Sequence, residues 1–97
     1  MEYTAVFAVS DYYALDLMAF LSRKGIYVPK DISVVGFDGS LSALRSIPKL
    51  TTVDQNNPIR AKMAMELLFK MIQNADYFEE KVVPVELLEG DSVTKLS

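Results

Sequence analysis

Neither cysteine nor histidine occurs among the 97 residues. The first absence rules out disulfides and thiolate metal sites, and the second removes the commonest general base and metal ligand. Zinc chemistry and histidine-based triads are therefore excluded. No apolar run approaches the length of a membrane span, and the opening Met1-Glu2-Tyr3-Thr4 lacks the basic and apolar blocks of a signal peptide. The cytoplasm is the expected compartment, with no membrane partner. Positive charge is sparse as well. With a net charge of −3 and scattered lysines and arginines, no basic stripe is present to neutralise phosphates. This stretch by itself is not expected to hold DNA or RNA.

What is present reads as one modest α/β unit, half hydrophobic and soluble, with a real but small core. Thr4 to Val9 is short, rich in β-branched and aromatic residues, and stopped by Ser10-Asp11, the pattern of a buried strand. Ser10 or Asp11 can cap the helix that follows, Tyr12 to Lys24, in which Ala14, Leu17, Met18 and Leu21 form one apolar stripe. Lys24-Gly25 closes it, the cation lying near the negative helix end and the glycine free to adopt the left-handed conformation. Ile32 to Phe37 is nearly all apolar and suits a strand covered on both faces. Strand, helix and strand joined over this length make a right-handed parallel βαβ unit.

After Asp38-Gly39, a short helix over Ser40 to Ser46 is expected, ended by Ile47-Pro48. Leu50 to Gln55 is extended, and Asn56-Asn57-Pro58 starts a helix that carries Ala64, Leu67, Leu68 and Met71 on one face through Gln73. Lys81 to Leu88 is a last strand whose Pro84 argues for an edge or a beginning, and 89–97 is a tail or a returning segment. Two of the strands end in polar residues, Ser10-Asp11 and Asp38. Open α/β sheets bind small molecules beyond the carboxyl ends of their strands, so these tips are the candidate site.

Three stretches together, Val6-Phe7-Ala8-Val9-Ser10-Asp11, Val28-Pro29-Lys30-Asp31-Ile32-Ser33-Val34-Val35-Gly36-Phe37-Asp38 and Leu50-Thr51-Thr52-Val53-Asp54-Gln55, resemble the C-terminal part of LacI/GalR-family transcriptional regulators. The resemblance implies a parallel-sheet, Rossmann-like three-layer α/β lobe, a fragment of a two-lobe fold like that of periplasmic sugar-binding proteins. It places residues up to about 50 in the C-terminal lobe, about 56–88 in the other lobe, and 89–97 in a returning tail. It further implies effector sensing and dimerisation without catalysis, no cofactor, and DNA binding only through an N-terminal headpiece absent from these residues. Strands lacking their neighbours recruit other chains, so the isolated piece is expected to form a homodimer or a domain-swapped oligomer. With half the cleft missing, it is expected to bind effector weakly or not at all.

By resemblance, Asp38 accepts hydrogen bonds from effector hydroxyls or ring N–H groups, a task suited to an acceptor-only carboxylate. The alternative is that it merely starts the Asp38-Gly39 turn. Ser10 stands where the family usually has asparagine. Asp11 is weighed as a helix cap or turn stabiliser against an effector contact, Gln55 as a cleft residue against a hydrogen-bonded hinge residue, and Tyr12 as a cleft aromatic against packing. Asn57 offers none of the stacking that some relatives place there. Leu15, Met18, Ala19 and Ser22, with Ser46 and Ile47, match the family's dimer face, with ordinary burial as the alternative. Two further functional readings remain open. One is a receiver-like domain whose aspartates and Lys81 hold Mg²⁺ and a phosphoryl group; the other is a sugar-binding protein of a transporter.

Overall fold

The computed structural model describes residues 2–96; Met1 and Ser97, the last residue of the expected tail, lie outside the described residues. Strands β1 (Ala5–Phe7) and β2 (Ser33–Val35) pair in parallel with Val6 opposite Val34. Helix α1 (Asp11–Arg23) makes the crossover between them, which realises the expected βαβ unit. The Ser10 hydroxyl accepts from the Tyr13 N–H at 3.4 Å and caps the helix, and Gly25, at φ +75°, turns the chain after its end.

After the short helix α2 (Leu41–Arg45), β3 (Thr52–Asp54) lines up on the free side of β2. Parallel bridges join Val35 to Thr51 and Asp38 to Asp54, and the Gly36 and Asp38 N–H groups donate to the Thr51 and Val53 carbonyls at 2.9 and 3.0 Å. A fourth strand, β4 (Glu86–Leu88), runs antiparallel to β3 with Val53 opposite Leu87. The return to this sheet is thus made by Glu86, within the stretch that the resemblance assigns to the other lobe.

Each strand is three residues long, shorter than its apolar run. Pairing extends beyond the regular ladders, since the Ser33 N–H reaches the Thr4 carbonyl at 2.9 Å and the Ala8 N–H reaches that of Val35 at 2.8 Å. Elsewhere the tail interrupts the ladder. The Val34 N–H donates to the Ser92 carbonyl, while the Ser92 hydroxyl donates to the Val34 carbonyl and accepts from the Thr51 N–H at 2.9 Å. Ser92 is fully buried, so the tail's polar groups take the place of strand neighbours between β2 and β3.

The core lies on one face of the sheet, where Ala14 and Met18 of α1 and Ala43 of α2 meet Val34 and Leu50. Leu50 and Val34 are completely buried, each stabilising the fold by about 1.5–3 kcal/mol relative to exposure. Side chains alternate across a strand, and the opposite face, carrying Phe7, Val35, Val53 and Leu87, has no helix over it. Phe7 there is 67% exposed.

Helix α3 (Asn57–Gln73) starts from Asn56, which sits at φ +53°, and has Pro58 in its first turn. The expected face with Leu68 and Met71 exists, yet none of its residues is buried. The helix projects from the sheet, and the Cα radius of gyration is 17.8 Å. A compact domain of 100 residues has about 13 Å.

Candidate functional site

The carboxyl ends of β1, β2 and β3 converge because the Asp11 N–H donates to the Phe37 carbonyl at 3.0 Å and Asp38 bridges to Asp54. Asp38, half-buried, has φ +137°, a region that side-chain-bearing residues adopt at a cost of about 1–3 kcal/mol and that clusters at ligand sites. Its Oδ1 accepts from Gln55 Nε2 at 2.7 Å. On its other side the Gln55 Oε1 accepts from the guanidinium of Arg60, in the first turns of α3. Asp38 and Gln55, named from the sequence as cleft residues, are thus in direct contact. Arg60 was not foreseen. The only signal for it was a cation five residues beyond Gln55, just after the helix-starting Pro58.

Of the roles weighed for Asp11, the geometry is that of a turn stabiliser. Only 2% exposed, its Oδ2 accepts from the Ser40 N–H at 2.7 Å and its Oδ1 from the Thr52 hydroxyl at 2.5 Å. It does not cap α1, which Ser10 does; it ties the start of α1 to the turn after Asp38 and to β3. Thr52 Oγ1 also accepts from the Gly39 N–H at 3.3 Å. Gly39 is at φ +72°, and a Cβ there would lie 2.8 Å from the Asp54 Cα, so only glycine fits this approach. The Ser40 hydroxyl then caps α2 through the Ala43 N–H at 3.1 Å. These bonds hold the Asp38 turn from three directions.

A cleft of about 370 Å³ opens at these tips, lined by Asp11, Tyr12, Leu15, Asp38, Ser40 and Ser42 with Asp16. Tyr12, 71% exposed, stands at its rim, edge-on to Tyr13 with ring centroids 5.6 Å apart. Ser10 and Gln55 are not among the lining residues. Ser10 is committed to its helix cap, and Gln55 approaches Asp38 from the side of α3.

A second groove, of about 360 Å³, brings together all six residues named for the dimer face: Leu15, Met18, Ala19, Ser22, Ser46 and Ile47. The Ser46 hydroxyl donates to the Ala43 and Pro48 carbonyls at 2.9 Å and accepts from the Leu50 N–H at 3.0 Å. That turn displays Ile47, which is 97% exposed.

Two residues weighed for a phosphoacceptor site, Asp11 and Lys81, have other partners. The oxygens of Asp11 are engaged as described, and Lys81 Nζ sits 3.3 Å from Glu79. The Tyr77 hydroxyl donates to Glu79, and that bond, ahead of Lys81, holds the Glu79 carboxyl below the usual glutamate range. Among the described residues no three acids gather into a metal-holding group, and no helix is long and apolar enough to cross a membrane.

Comparison with known proteins gives these strand tips a context. The family model of the periplasmic binding protein-like domain matches residues 2–93. The chain is 38% identical over 91 residues to the HTH-type transcriptional regulator MalR of Clostridium butyricum, covering 94% of this chain and 27% of that protein. It is 41% identical over 96 residues to the HTH-type transcriptional repressor PurR of Vibrio atlanticus, covering 97% of this chain and 28% of that protein. The chain therefore spans little more than a quarter of the length of these relatives. Among solved structures, a LacI family transcriptional regulator from Enterococcus faecalis with bound ribose superposes with a TM-score of 0.92 at 32% identity, over 100% of this chain and 37% of that one. The lac repressor dimer bound to operator and an anti-inducer does so with a TM-score of 0.85 at 28% identity, over 95% and 32%. With its parallel βαβ core, its Asp38 strand tip and these likenesses, the chain belongs to the periplasmic binding protein-like family, as a fragment of the effector-binding domain of a LacI/GalR-type regulator.

Proposed function

We propose that this chain supplies one wall of a sugar-sensing cleft and a dimerisation face in a cytoplasmic transcriptional repressor. The observation that carries the reading is the half-buried Asp38 carboxylate, held at a strand tip in an unfavourable backbone conformation with Gln55 Nε2 at 2.7 Å. A carboxylate with one oxygen on an amide keeps acceptor capacity for the hydroxyls of a polyol. Tyr12 at the rim offers a flat apolar face for a sugar ring. Ribose-bound relatives of the same fold support a sugar as the ligand class.

Residues up to about 50 form the C-terminal-lobe wall, and α3 leads toward the other lobe, which closes on the effector. An effector that binds the closed arrangement more tightly than the open one shifts the balance between them, and DNA-binding headpieces carried elsewhere respond to that shift. The 360 Å³ groove with Ile47 on its rim is the face that meets a second copy. No bond is made or broken in this scheme.

The test is an NMR titration of the 97-residue chain with D-ribose at millimolar concentrations, where weak binding is still visible. Shifts confined to the amides around Asp38, Tyr12 and Gln55, and lost in Asp38→Asn, are expected. Shifts elsewhere, or shifts surviving in D38N, would refute the assignment.

A further inference from the structure

The contact between Gln55 and Arg60 joins the crossing segment to α3, and it settles which way an ambidextrous side chain points. A glutamine amide has a donor end and an acceptor end, and its two neighbours here are a carboxylate and a guanidinium. With the carbonyl end on Arg60 and the NH₂ end on Asp38, both bonds are charge-assisted; reversed, oxygen would face oxygen and N–H would face N–H. We infer that Arg60 is a positioning residue for the effector site, fixing the Gln55 amide so that its nitrogen end donates to Asp38 Oδ1 and the second carboxylate oxygen is left to accept from a ligand. This rests on the sugar-site reading of Asp38.

The consequence is a carboxylate held in one orientation at the tip of β2, with one oxygen occupied by Gln55. A carboxylate fixed in this way accepts from hydroxyls, and selects polyols over ligands offering acceptors alone. Arg60 is exposed and Gln55 is half-buried, so the orienting charge stands outside the contact that it orients. The guanidinium lies in the first turns of a helix, where the macrodipole disfavours a cation. The Gln55 carbonyl compensates it there.

The test is the ¹⁵N spectrum of the Gln55 side-chain NH₂ in the 97-residue chain, with and without D-ribose. In the unmodified chain its two protons are expected well apart, one being bonded to a carboxylate. Arg60→Met should draw them together toward free-glutamine positions and weaken ribose-induced shifts about tenfold, whereas Arg60→Lys, which still donates, should keep most of both. A Gln55 NH₂ unmoved by R60M, or a measurable ribose response that is equal in R60M and the unmodified chain, overturns the inference. Should the unmodified chain show no ribose response while the NH₂ still answers to R60M, the positioning role stands and the sugar reading falls.

Discussion

Asp11 is a buried carboxylate whose partners lie 29 and 41 positions along the chain, the Ser40 N–H and the Thr52 hydroxyl. No local pattern announces such a tie. Composition and spacing show that an acidic residue follows a strand, and local rules then offer a helix cap, a turn stabiliser or a ligand contact without naming partners so far along the chain. Asp38 was marked by its strand end, which the apolar run shows, and Gln55 by the resemblance; their mutual contact is what the structure adds. The Asp11 tie predicts a definite sensitivity. Asp11→Asn keeps the shape but turns an NH₂ group on one of two donors, and leaving that buried donor unpaired costs about 1–3 kcal/mol. Urea unfolding followed by circular dichroism should show the midpoint falling by the corresponding amount, with the slope unchanged. An unaltered midpoint would mean that Asp11 is not bonded as described.

At the scale of elements, α1 and α3 were readable from i, i+3, i+4 spacing and their boundary residues, and each begins within a residue or two of its expected start. The strands were placed correctly but overestimated in length, since an apolar run says that a segment is buried and not how many of its amides find a neighbour. The role of the tail was open in the sequence, a loose end or a return. It returns, and Ser92 is the reason that it stays, replacing strand contacts at Val34 and Thr51. Ser92→Ala removes the hydroxyl while keeping the main-chain bond to Val34. Native-state hydrogen exchange at the Thr51 amide should then quicken about tenfold, the equivalent of about 1.4 kcal/mol, with the Val34 amide less affected. Equal protection in both forms would show that the hydroxyl does not seal this edge.

For the whole molecule, extents of 57 × 23 × 19 Å describe a rod rather than a ball. The apolar faces that the sequence marks for burial are present, but three of them have no cover among the described residues: the far side of the sheet, the groove beside Ile47, and the length of α3. A chain in this condition is expected to associate. Size-exclusion chromatography with light scattering at tens of micromolar should give a dimer or larger species, and Ile47→Asp, a charge placed at the 97% exposed tip of the groove, should shift it toward monomer. A monodisperse, well-folded monomer of the unmodified chain would contradict this. Periodicity identifies an apolar face without saying whether the same chain or another one covers it, and only the resemblance named the Leu15, Met18 and Ile47 face for a second copy.

The crossing from β3 into α3 is made through Asn56, with its left-handed backbone, while Gln55 just before it grips Asp38 on one hand and Arg60 on the other. That gives the projecting helix a fulcrum and a short tether. If α3 swings about Asn56, Arg60 travels with it, and the tether either drags the Gln55 amide across Asp38 or snaps. The lever arm that the fold leaves free is therefore wired, through a single glutamine, to the carboxylate at its root.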